Sequence, residues 1–260
     1  MTDGLLRDGD CSPFVTENAG APSPILLTSD HAGRAVPRQL GTLGLSEEDL
    51  AKHVAYDIGI YGVTTRIAAA LEATYVYQPY SRLVIDCNRK PGHAQSVAPV
   101  SDGVRVPGNE NLSHEAIAAR QNEILMPYQN AIARTLDDRQ AAGLATVFFA
   151  MHSCTPVMGS MPPRPWHIGV MAVDDWRIGD ELIALLEKET DFCIGRNQPY
   201  EINPETDYTV PVHAIGRGLP YVEIEIRQDL IGDEDGQREW AALLSDIFPR
   251  AVANAEILAH

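Results

Sequence analysis

Apolar runs and helical periodicities take turns along this chain. "ILLTSDHAG", residues 25–33, reads as a buried strand that ends abruptly on an acid and a histidine, and "ATVFFAMHS" reads as a second, ending on His152. "ATYVYQ" and "SRLVIDCN" are rich in β-formers, and "WHIGVMAV" and "PYVEIEIR" supply two further strands. Ser46, with Asp49 three residues on, resembles a capping box and predicts a helix over about 47–72. Ser113 opens a second helical stretch to about Ala142, interrupted near Pro127, where the backbone lacks an N–H. Further helices are predicted over about 175–189 and 235–258. Strands alternating with helices predict an α/β fold, its sheet mostly parallel and covered by helices on both faces.

The segments between these elements sharpen the picture. Residues 1–24, rich in Gly, Pro, Ser and acids, are expected to wrap the surface. Residues 90–112 are polar and aperiodic, and a connection of that length in a compact domain is usually functional or mobile, while 197–211 is a stretch rich in Pro, Asn and Asp. With 260 residues, 45% hydrophobic and 22% charged, the chain has globular composition and the length of one large domain. Its net charge of -16 repels phosphate backbones and anionic lipid, which argues against nucleic-acid and membrane-surface partners. Cys11, Cys87, Cys154 and Cys193 are widely spaced, which suits a reduced cytoplasmic setting rather than a disulfide framework or a cysteine zinc site. The acidic N-terminus does not read as a secretory signal, and no apolar run is long enough to span a membrane.

Candidate chemistry concentrates at strand ends. His31 and His152 each fall where the carboxyl edge of the sheet is expected, the edge at which α/β proteins bind ligands, and imidazole is a common zinc ligand. Leu50, Val54, Asp57, Tyr61 and Ala68 form an apolar stripe on the predicted helix, so Asp57 is a carboxylate that must be paired or metal-bound. Asp30 competes for the same role, although a neighbour of His31 on extended chain points to the opposite side. His53, one helical turn before Asp57, is a further supporting candidate. In "LPYVEIEIRQDL", Val222, Ile224 and Ile226 share one face while Glu223, Glu225 and Arg227 share the other. A glutamate beside a metal can take a proton from water and deliver it to a leaving amine. Arg82, Asn88, Arg89 and Arg227 are candidates for binding substrate carboxylates, since guanidinium binds them bidentately. An internal Arg82–Asp86 ion pair is the competing reading for Arg82. His213, after a loop, is a further catalytic candidate. There is no G-x-S-x-G elbow, glycine-rich phosphate loop or H-E-x-x-H motif.

With "SDHAGRAVP", "HVAYDIG", "YSRLVIDCNR", "MHS" and "VEIEIRQDL" in this order over about residues 25–230, the chain resembles the N-formylglutamate amidohydrolase family. The resemblance implies a single amidohydrolase domain over 1–260, with 90–112 as an active-site loop, and an α/β/α sandwich around a mixed, mostly parallel sheet, hydrolase- or phosphorylase-like. It implies one Zn2+ per chain held by His31 and His152, with Glu225 as general base and Arg82, Asn88, Arg89 and Arg227 holding a small anionic N-acyl amino acid. Zinc carboxypeptidases place a glutamate three residues after the first histidine. Here Arg34 stands there, so the acidic ligand is expected from elsewhere, with Asp57 the candidate. The expected reaction is zinc-dependent amide hydrolysis, N-formyl-L-glutamate to formate and glutamate being the leading case. A related deacylase or carboxypeptidase-like peptidase, and a non-catalytic anion-binding module on this scaffold, are the alternatives.

Overall fold

The computed structural model of the chain describes residues 4–256. In chain order the elements are β1 (Val15–Glu17), β2 (Ile25–Ser29), α1 (Glu47–Leu50), α2 (Ile60–Ala70), β3 (Thr74–Tyr77), β4 (Val100–Ser101), β5 (Val104–Arg105), α3 (His114–Arg120), α4 (Met126–Ala141), β6 (Val147–Cys154), β7 (Ile168–Met171), α5 (Arg177–Glu189), β8 (Ile194–Arg196), β9 (Tyr221–Arg227) and α6 (Glu234–Asn254). Seven strands form one sheet in the order β1-β3-β2-β6-β9-β7-β8. β1 runs antiparallel to β3 and β7 antiparallel to β9, while the other neighbours are parallel.

Alternation along the central strands assigns side chains to two apolar layers. Leu26, Val76, Phe148, Ala150 and Tyr221 pack with Ile124, Tyr128 and Ile132 on one face. Ile25, Leu27, Phe149, Met151, Val222 and Ile224 pack on the other against Val63 of α2, Leu182 of α5 and Leu244 and Phe248 of α6. The result is the expected mixed, mostly parallel sheet with helices on both sides. In β9 the division holds residue by residue: Val222, Ile224 and Ile226 join the helical layer, which leaves Glu223 and Glu225 on the opposite face.

Three expectations fail locally. The helix predicted over 47–72 is two helices: α1 ends at Leu50, and turns fill the chain up to Gly59 at φ +81°. A side chain at Gly59 would place its Cβ 2.0 Å from the Ile231 carbonyl oxygen, so close packing against the start of the α6 region fixes the break. "SRLVIDCN" is a buried run of turns rather than a strand; Ser81 Oγ accepts from the Leu83 N–H, and Val84 N–H bonds back to Ser81. Residues 90–112 carry the β4–β5 hairpin. The helix from Ser113 changes to π winding over Gln121–Leu125, directly before Pro127. The expected end of the last helix near 258 lies outside the described residues.

Candidate active site

Register places the site. In the parallel pairing of β6 with β9, His152 stands opposite Glu225 and Ala150 opposite Glu223, so the imidazole and both carboxyl groups share one face. β2 lies on the other side of β6, and the chain leaving it carries Asp30 and His31 to the same edge. Gly33 makes that exit possible. Its N–H bonds to Gln78 O at 3.0 Å, and an added Cβ would sit 1.9 Å from Pro79 O.

Asp57 is brought in from the broken helix. Its backbone N–H donates to His31 O at 2.9 Å, and its Oδ2 lies 2.9 Å from His152 Nδ1 and 3.6 Å from His31 Nδ1. The three residues are at most 4% exposed, and together they form a group able to hold a metal ion. Ligand atoms around a tetrahedral zinc at 2.0–2.1 Å stand roughly 3.3 Å apart, a value these two distances straddle. His31 Nδ1 is buried without a hydrogen-bond partner, the condition a bound cation would relieve. The residues therefore fit the metal that the sequence implied. Asp57 holds this place from a turn, not from the helical stripe on which it was expected.

Each histidine has a second carboxylate behind it. His31 Nε2 donates to Asp86 Oδ1 at 2.8 Å, and His152 Nε2 faces Asp30 Oδ2 at 3.5 Å. Asp30 thus sits behind His152 rather than in the ligand group. Its Oδ1 accepts from the Thr209 hydroxyl at 2.7 Å, and Gln129 links Thr209 to His213. Burial and Arg82 act to lower the His31 pKa, but Asp86 and Asp57 outweigh them and raise it; His152 is raised well above its ordinary value against burial by Asp30 and Asp57. The negative potential at this spot favours a cation. Burial pushes Glu223 up to about 7 and Glu225 further in the same direction, and Glu225 Oε2 has no hydrogen-bond partner.

A cavity of about 410 Å3 opens over the group, lined by His31, Asp57, His152, Glu223 and Glu225 together with Arg82, Asn88 and Arg89. Arg82 also forms the anticipated ion pair, donating from Nη2 to Asp86 at 2.6 Å. Asn88 Oδ1 accepts from the Tyr208 and Thr209 N–H groups, which pins the 197–211 segment against the site. Two candidates fall away. Arg227 is held outside the cavity by Asp229 and by Arg164 O, because β9 has passed the site by that residue. His213 is buried against Gln129 and does not line the cavity, and burial lowers its pKa to about 4. His53 lies at the cavity wall, bonded to Asp102 at 2.9 Å, not to the histidine–aspartate group. In the sequence Asp86 reads only as an ion-pair partner for Arg82, which it is, and not as the carboxylate behind His31, because its segment reads as a strand. Tyr200, Glu201 and Asp207, from the aperiodic 197–211 segment, also line the cavity and carried no motif.

Fold and site together define an α/β amidohydrolase with a buried group suited to a metal. The chain belongs to the N-formylglutamate amidohydrolase family, whose model matches residues 23–232. A gene product of Agrobacterium tumefaciens is 34% identical and superposes with a TM-score of 0.92, covering 97% of this chain and 99% of that one. An N-formylglutamate amidohydrolase from Ralstonia eutropha JMP134, 17% identical, shares the fold at a TM-score of 0.69 over 94% of this chain and 98% of that one. No curated protein matched the sequence. No helix among the described residues is long and apolar enough to cross a membrane.

Proposed function

We propose that the protein hydrolyses the amide bond of a small N-acyl amino acid with one zinc ion per chain, N-formyl-L-glutamate being the reference substrate. His31 Nδ1, His152 Nδ1 and Asp57 Oδ2 would hold the metal, and Asp86 and Asp30 orient the two imidazoles. Zinc held there supplies Lewis-acid polarisation of an acyl carbonyl and acidifies water.

The chain's own residues do the rest. Glu225 accepts a proton as water adds to the acyl carbon, then delivers it to the nitrogen as the C–N bond breaks, so a carboxylic acid and an amine leave. A carboxyl group whose pKa burial has raised toward neutrality suits both directions of that transfer. Arg89, at the cavity wall, receives the substrate carboxylate through its guanidinium. A cytoplasmic location suits the four free cysteines.

The observation that carries this reading is the unpartnered Glu225 Oε2 on the strand beside His152, in the cavity that the metal-ligating group also lines. Glu225→Gln tests it. The variant is expected to bind zinc as the parent does and to lose about 10²–10⁴-fold in kcat; near-full turnover would remove Glu225 from the proton-transfer role.

A further inference from the structure

A carboxylate orients an imidazole only if something holds the carboxylate in turn. Asp30 is 1% exposed, and among the described residues its side chain receives one hydrogen bond, from the Thr209 hydroxyl to Oδ1 at 2.7 Å. Its Oδ2 and the Nε2 of His152 are both buried without a hydrogen-bond partner and face each other at 3.5 Å. The rotamer of Asp30, and with it the group presented to His152, therefore depends on Thr209. The neighbouring Tyr128 hydroxyl is buried as well and makes no hydrogen bond.

Thr209 stands fully buried at the head of the π turn Val210–Ala214. A threonine there ordinarily caps the turn it opens, but this hydroxyl makes no cap and is given to Asp30 instead. Its direction is fixed from both sides. Gln129 Nε2 donates to the Cys87 carbonyl at 2.7 Å and to Thr209 Oγ1 at 2.9 Å, while Gln129 Oε1 accepts from His213 Nε2 at 2.7 Å. A carbonyl and a carboxylate only accept, so the Thr209 oxygen takes a proton from Gln129 and points its own at Asp30.

The main chain of Thr209 reaches the other histidine. Its N–H donates to Asn88 Oδ1 at 3.1 Å, and the Asn88 N–H donates to Asp86 Oδ1 at 3.0 Å, the oxygen that accepts from His31 Nε2. His31, Asp86, Asn88, Thr209, Asp30 and His152 thus form one buried chain of polar contacts in which each carboxylate support is tied to the other. Resting on the reading of His31, Asp57 and His152 as metal ligands, we propose that Thr209 is a positioning residue for the metal: its hydroxyl holds Asp30 against His152, and its N–H joins that support to the one behind His31.

The test compares the parent with Thr209→Val, which keeps shape and N–H but lacks the hydroxyl, and with Thr209→Ser, which restores it. Zinc affinity is read by competition with a chromophoric chelator, and ligand geometry by the visible absorption of the cobalt-loaded proteins. Thr209→Val is expected to weaken zinc binding about tenfold or more and to shift the cobalt bands, whereas Thr209→Ser stays within about threefold of the parent and keeps its spectrum. Thr209→Ala makes the same comparison should the valine variant not fold. Parental affinity and spectrum in a folded variant without the hydroxyl, or a serine variant as impaired as the valine one, would overturn the inference and leave the metal reading standing. A parent that binds no zinc would overturn that reading, and the inference with it.

Discussion

His31 Nε2 donates to Asp86 Oδ1 at 2.8 Å while its Nδ1 faces Asp57, so one ring nitrogen is committed to orientation and the other is left for a ligand. Asp86 is itself fixed by Arg82 and by the Asn88 N–H. Carboxylates placed behind metal-ligating histidines set ring orientation and basicity. Asp86→Asn is therefore expected to weaken zinc affinity by about 10–100-fold. Competition with a chromophoric chelator reads this directly; an unchanged affinity in a folded variant would remove Asp86 from the orienting role.

Gly33 tests the backbone route to the site. A methyl group there would collide with the Pro79 carbonyl, which is main chain and cannot swing aside. Gly33→Ala is expected to cost about 3 kcal/mol or more, as severe overpacking does. Urea denaturation measures it, and a loss under about 1 kcal/mol would mean that the turn after His31 adapts.

Two of the three motif arginines separate cleanly. Arg89 lines the cavity with an unpaired Nε, whereas Arg227 is tied to Asp229 and Arg164 O outside it. Steady-state kinetics should show KM rising at least tenfold in Arg89→Lys, which loses the planar fork. Arg227→Lys should move KM by less than about threefold. The reverse order would place the carboxylate receptor at the end of β9.

His213 predicts a pH dependence of stability. Burial holds its pKa near 4, below the value of about 6.5 for a free imidazole. As pH falls, the unfolded chain takes up the proton first, so the stability that neutral His213 contributes is complete above about pH 6.5 and is lost as pH drops toward 4. A shift of that size corresponds to at most about 3 kcal/mol. His213→Gln keeps a neutral donor for Gln129 and removes the titration. Its stability deficit relative to the parent should shrink between pH 7 and pH 4.5 in calorimetric melts; a deficit independent of pH would contradict the assignment.

Much of this site was legible because strand alternation is local. The apolar run before His152 and the Val222/Ile224/Ile226 register required no tertiary information, and they place His152 and Glu225 on one face. Asp57 was identified for a reason that proved wrong: the apolar stripe continued through a break that only the approach of Gly59 to Ile231 imposes, and that contact is distant in sequence. The same limitation hid the contact of Asp86 with His31, since the Asp86 segment has strand composition yet folds as turns closed by Ser81. Arg227 was placed by its alternation with Glu223 and Glu225 and by its guanidinium, and His213 by its position after a loop. Whether a side chain at a strand or loop end turns into a cavity depends on neighbours such as Asp229 and Gln129, which no local pattern encodes.

His31, Asp57 and His152 are proposed to bind one metal ion. Elemental analysis of the protein after incubation with zinc and exhaustive dialysis tests it most directly, with His152→Ala carried alongside. One zinc per chain is expected in the parent and a large loss in the variant, as when a ligand is removed from a three-residue site. Zinc well below one per chain in the parent, or equal retention by the folded His152→Ala protein, would contradict it.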